Sequence, residues 1–170
     1  MVLLVCTAAF STYPAEAISQ PEIAVPILAP TLMPKEEQAY LQVLDEILPA
    51  YMTAGEVNLG LIDIPIDKIV GTKTKGRTHA FAANFMPLLS EDSEFGLKWR
   101  NLCNAHLSDA DIRDPISCYE FLGRFYVQEG NKRVSVLKYF GATSIPGNVI
   151  RILPLESTSK EVRAYREFLT

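Results

Sequence analysis

A chain of 170 residues, 48% hydrophobic and 21% charged, has the length and balance of about one soluble globular domain. A formal charge of −4 argues against a general nucleic-acid binder, which needs many Lys and Arg contacts to phosphate, but leaves room for a local basic pocket. Cys6, Cys103 and Cys118 are far apart and the only histidines are His79 and His106, so neither a disulfide framework nor a metal site is expected, and the setting reads as reducing and cytoplasmic.

The opening "MVLLVCTAAFSTYPAEA" has a short apolar run and an Ala15-Glu16-Ala17 ending like a signal-peptidase site. It lacks a basic n-region, and the run is too short to span a bilayer. Five of the eleven prolines fall between Pro14 and Pro34, which forbids a long helix there. Residues 1–34 are therefore expected to be a poorly ordered leader, and 35–170 a single domain without membrane association.

The spacing of Leu41, Leu44 and Leu48, with Glu36 and Glu37 in a first turn, predicts a helix over 34–52. "VNLGLIDIPIDKIVG" (57–71) reads as a strand running into an irregular edge at Pro65, which has no N–H to donate. "TKTKGRT" (72–78) reads as a basic loop, and 79–89 as a short helix ended near Pro87. The clearest helix is 90–107, with Ser90, Asp92 and Ser93 as candidate caps and Phe95, Trp99, Leu102 and His106 on one face. A short strand or edge follows in 111–121, then a better strand in 123–130. A helix over 131–142 closes at Gly141, a last strand runs from Val149 to Leu153, and a terminal helix covers 157–169. Asp109, Asp111 and Asp114 fit no calcium-loop spacing and read as turn and cap residues.

The unit "VQEGNKRVSV" deserves chemical reading. Gly130 sits between a strand and a helix, where a residue without Cβ permits unusual φ values. The first-turn N–H groups of the helix lack internal partners and lie at the positive end of its dipole, which suits a phosphate or carboxylate. Arg133 adds a forked donor. Arg77 lies in a second basic loop that also follows a strand, so the two loops could converge at one end of a small sheet. The local pattern leaves two readings open: a solvated strand-to-helix connection, or an anion cradle.

Three segments in order carry a resemblance. "LIDIPIDKIVG" with a following arginine, "DIRDPISCYEF", and "FYVQEGNKRVSVLKYFGATSIPGNV" resemble the successive motifs of the ParB/sulfiredoxin-like superfamily over roughly residues 57–153. The chain is similar to a divergent bacterial member. The resemblance implies an α+β fold, a small mixed sheet with surrounding helices, in which Arg77, Gly130, Asn131, Lys132 and Arg133 bind nucleotide phosphates. CTP or ATP, with Mg²⁺ as an accompanying ion, are the cofactors it suggests, and no protein metal site is expected.

Departures limit the carry-over. Asn131 and Ser135 stand where segregation ParB proteins have a glutamate and a second arginine, and sulfiredoxins have their reactive cysteine at the place of Asn131. Metal-assisted CTP hydrolysis is thereby in doubt and sulfiredoxin chemistry disfavoured. No helix-turn-helix element is evident after Leu153, so direct sequence-specific DNA binding is not expected, and any DNA association would run through partners. The resulting expectation is a regulatory module for a nucleotide or phosphorylated small molecule, with homodimerisation open. The alternatives are a phosphotransferase or nuclease with Glu129 (or Glu120) as general base, and a non-catalytic protein-interaction domain.

Overall fold

The computed structural model describes residues 40–48, 53–90, 92–108, 114–156 and 159–170. The expected leader, residues 1–34, lies outside them, as does most of the predicted 34–52 helix. Strand β1 (Gln42–Val43) leads into a four-residue helix α1 (Leu44–Ile47). β2 (Thr53–Pro65) ends in a 3₁₀ turn, Ile66–Lys68, before β3 (Ile69–Thr72). A second 3₁₀ segment, Lys75–Ala80, precedes α2 (Glu94–Leu107). β4 (Ile116–Phe121) and β5 (Arg124–Glu129) form a hairpin, followed by α3 (Asn131–Tyr139), β6 (Ser144–Pro154) and α4 (Lys160–Leu169).

The six strands among the described residues join one mixed sheet in the order β1-β3-β5-β4-β6-β2. β1 with β3, β3 with β5, and β4 with β6 are parallel, while β4 with β5 and β2 with β6 are antiparallel. The architecture is α+β, as the sequence leads one to expect. Alternation along β5 assigns the faces. Phe125 and Val127 join Ile64, Ile116, Trp99 and Val134 beneath α2 and α3, whereas Tyr126 joins Leu44, Phe121 and Ile152 on the other side.

Several predicted elements change character. The expected 34–52 helix survives among the described residues only at Leu44–Ile47, because Gln42 and Val43 pair with Gly71 and Thr72 and so hold extended backbone there. Residues 79–89 form no α-helix. Phe81 bridges Pro87, and Phe85 takes a positive φ of 69°, while its ring is wholly buried. Burial of Phe81 and Phe85 outweighs any local helical preference. The basic loop 72–78 tightens into 3₁₀ helix from Lys75. The 57–71 strand starts earlier, at Thr53, and is cut by Ile66–Lys68, and the last strand is longer than Val149–Leu153.

Both core helices have legible ends. Ser93 is the N-cap of α2, its Oγ accepting from the Gly96 N–H at 3.0 Å, and Glu94 pairs with Lys98 one turn on. α3 ends as predicted at Gly141, with the Ala142 N–H donating to the Leu137 carbonyl (2.9 Å) and the Gly141 N–H to Lys138 (3.1 Å). α2 is keyed to α3 by the buried Trp99 indole N–H, which donates to Ser135 Oγ at 2.8 Å.

Candidate functional site

β3 and β5 are parallel neighbours, so the segments leaving their carboxyl ends emerge at the same end of the sheet. β3 runs into the 3₁₀ segment that carries Arg77, and β5 runs through Glu129 and Gly130 into α3. A cavity of about 270 Å³ lies where they meet. Its polar wall comprises Arg77, Gln128, Glu129, Gly130, Asn131 and Lys132, and Phe81 and Phe95 supply ring surface. Five of the six residues singled out in the sequence therefore surround one hollow.

Gly130 makes the bend. It has φ 102° and ψ 15°, and a Cβ built on it would lie 2.5 Å from Ile116 Cγ2. Only glycine meets both demands. As the N-cap of α3 it brings no side chain to the first turn, so the opening N–H groups depend on something other than a cap.

The cations divide. Lys132 Nζ sits 4.9 Å from the centre of the Phe95 ring. Partial burial pulls its pKa below the usual lysine value, and the nearby charges of Lys98 and Arg77 add to that, against an opposing pull from Glu94. Glu94 is itself held by Lys98, which keeps its carboxyl below the usual range. Among the described residues neither Arg77 nor Lys132 forms a salt bridge, so two cations face one carboxylate, Glu129, across the cavity. Arg133 does not line it. Its guanidinium turns back to donate to the carbonyls of Asp114 and, at 3.2 Å, Pro115. The expectation of a facing Arg77–Arg133 clamp is corrected accordingly: Lys132 faces the hollow, and Arg133 ties the α3 entry to the start of β4.

Asn131, the first residue of α3, is 8% exposed, and its side-chain Oδ1 is buried without a hydrogen-bond partner. Ser135, one turn on, is consumed by Trp99. Glu129 is exposed on the cavity wall, whereas Glu120 lies elsewhere. The Glu120 carboxylate accepts from Tyr165 OH at 2.6 Å, from the Gly123 N–H at 2.7 Å and from Arg151, fastening α4 to the sheet. A carboxylate so engaged is structural, which removes Glu120 as a general-base candidate.

Among the described residues no group of three or more His, Cys, Asp or Glu could hold a metal ion. Among the described residues Glu129 is the one carboxylate on the cavity wall, so Mg²⁺ fits here as an ion carried in on phosphate oxygens. Burial pushes the Cys103 and Cys118 thiols up to about 12, which makes them packing groups and not nucleophiles. His79 meets Tyr40 edge to face and His106 lies tilted against Phe140. No helix among the described residues is long and apolar enough to cross a membrane.

Sequence reasoning missed Phe81, Phe95 and Gln128 as cavity walls. Phe95 was legible only as a helix-face residue, since nothing in its spacing says which cavity the first turn of α2 borders.

No family model matches the sequence, and no curated protein does. Among solved structures, the chain is similar to sulfiredoxin from Arabidopsis thaliana at 16% identity, over 62% of this chain and 96% of that one, with a TM-score of 0.35. An overlap of that size assigns neither family nor activity.

Proposed function

We propose that this domain is a binding module for a phosphorylated ligand, held at the α3 N-terminus between Arg77 and Lys132. The observation that supports it is the convergence on one cavity of an uncapped helix start and two cations that form no salt bridge among the described residues, with Glu129 as the carboxylate on the same wall. A nucleotide such as CTP or ATP would place its phosphate end here and its base outside, since about 270 Å³ is below the size of a pocket that encloses a drug-sized ligand. Charge-assisted contacts of this kind contribute roughly 1.5–3 kcal/mol each, so Lys132→Met or Arg77→Met should weaken binding about ten- to a hundredfold. Calorimetric titration with CTP, ATP, ADP and inorganic phosphate tests this. Absence of heat with all four ends the reading.

Glu129 on the same wall gives a second reading, phosphoryl transfer or hydrolysis with this carboxylate as general base. Ligand turnover that disappears in Glu129→Gln while affinity persists would establish it, and binding without turnover in the wild type would leave the module reading alone.

A further inference from the structure

Among the described residues Lys132 brings the amine to the cavity wall, and its setting is unlike that of Lys73, Lys75, Lys98 or Lys138. The first three are each paired with a carboxylate, and Lys138 donates to the Ile69 carbonyl at 2.9 Å. No salt bridge holds Lys132 among the described residues. Its Nζ lies 4.9 Å from the centre of the Phe95 ring, and both residues are half-buried on the cavity wall. The amine is thus partly stripped of water yet open to a ligand. A lysine becomes nucleophilic where apolar surface and a neighbouring cation disfavour its protonated form. Burial against Phe95 supplies the first condition. Lys98 and Arg77 supply the second, and Glu94, which opposes them, is taken up by Lys98.

Arg77 and Glu129 stand exposed on the same wall. The Arg77 guanidinium can hold a phosphate group through two oxygens while Lys132 acts on the rest of the ligand. We infer that the site forms an imine between Lys132 Nζ and a small aldehyde or ketone that carries a phosphate, with Arg77 as the anchor of the phosphate. This rests on the phosphate-binding reading above. The step involves no redox change. The neutral amine adds to the carbonyl carbon, forming the N–C bond and leaving the carbonyl electron pair on oxygen. The nitrogen gives up its two protons, the oxygen takes them and leaves as water, and the C=N bond remains. Glu129 is the wall carboxylate through which those protons can pass. A phosphate ligand without a carbonyl meets Lys132 as a charge alone.

The probes are glyceraldehyde 3-phosphate and glyceraldehyde, which share the aldehyde and the three-carbon skeleton and differ in the phosphate. Each is mixed with the full chain, borohydride fixes any imine as a secondary amine, and peptide mass spectrometry locates it. With glyceraldehyde 3-phosphate, Lys132 should be labelled roughly tenfold or more faster than Lys73, Lys75, Lys98 or Lys138, the effect of holding the aldehyde beside it. Inorganic phosphate should suppress that labelling, and glyceraldehyde should label Lys132 about tenfold more slowly. Arg77→Met, a change at an exposed position, should remove most of the advantage of the phosphorylated probe. Labelling spread evenly over the lysines, while calorimetry still shows inorganic phosphate bound, overturns the inference and leaves phosphate binding standing. Equal labelling of Lys132 by both aldehydes overturns it too, as does an advantage unchanged in Arg77→Met, since Arg77 then anchors nothing. If inorganic phosphate neither binds nor protects and no lysine is selected, both readings fall.

Discussion

Replacing Gly130 with alanine strikes the bend on which the site depends, and the expected cost can be worked out. A φ of 102° lies beyond the left-handed well near about +57° that a residue with a Cβ occasionally adopts, a strain of roughly 1–2 kcal/mol or more. The stiffer unfolded chain of alanine returns about 0.4–1 kcal/mol. The new methyl would sit 2.5 Å from Ile116 Cγ2, on a side chain with no exposure, so relief requires the sheet or α3 to shift, an overpacking cost of about 1–3 kcal/mol. The net expectation for Gly130→Ala is a loss of about 2–4 kcal/mol. Gly141 is the internal control. Its φ is 71°, and a Cβ there meets nothing within 4 Å, so Gly141→Ala should cost no more than about 1 kcal/mol. Urea unfolding followed by Trp99 fluorescence, the chain having a single tryptophan, gives both numbers. If the two variants agree within about 0.5 kcal/mol, the steric account of the bend is wrong.

Three further outcomes are expected. Lys132 has a folded pKa below its ordinary 10.5, and a bound anion favours the charged form. Phosphate affinity should fall as pH rises through that depressed value toward 10.5, and a flat profile in Lys132→Met together with a sloping wild type would show it; identical profiles would refute it. Without ligand the same depression means that the unfolded chain holds the proton over that window, so this group adds stability as pH rises there. Ser135→Ala leaves the Trp99 N–H buried and unserved, at a cost of about 1–3 kcal/mol with altered tryptophan emission, and an unchanged urea midpoint would contradict it. Tyr165→Phe removes the phenol's contact with both Glu120 oxygens, and because no residue of α4 is buried, amide exchange over 160–169 should accelerate strongly while the sheet stays protected.

What the sequence revealed and what it hid divide along physical lines. The ends of α3 are local events, a glycine at each end, and both were readable at Gly130 and Gly141. Arg77 and the 129–132 run were also readable, because topology does the rest: two parallel neighbouring strands must deliver their following segments to one end of the sheet. The fate of 79–89 was hidden, since Phe81 and Phe85 fill the core from turns and no periodicity records that. Arg133 was misjudged for a related reason. Adjacent residues in a helix point about 100° apart, so Lys132 and Arg133 leave the first turn in different directions, and the carbonyls of residues 114–115, which no local pattern locates, draw Arg133 away from the cavity.

That division of labour gives a sharp contrast between neighbours. Arg133 donates to two carbonyls of the segment that enters β4, and its guanidinium lies 3.3 Å from where a Gly130 Cβ would be, so it braces the underside of the bend. Arg133→Ala frees those carbonyls to water. At this partly exposed site the cost should be about 1–2 kcal/mol, with faster amide exchange at the start of β4. Phosphate affinity should change by less than about threefold, because the cations at the cavity remain. Lys132→Met should do the reverse, sparing stability and losing affinity. Measuring unfolding and phosphate binding on both variants separates brace from ligand contact. If Arg133→Ala loses affinity as Lys132→Met does while the fold stays intact, the guanidinium must leave residues 114–115 to reach the ligand, and the assignment of Arg133 as a structural tie fails.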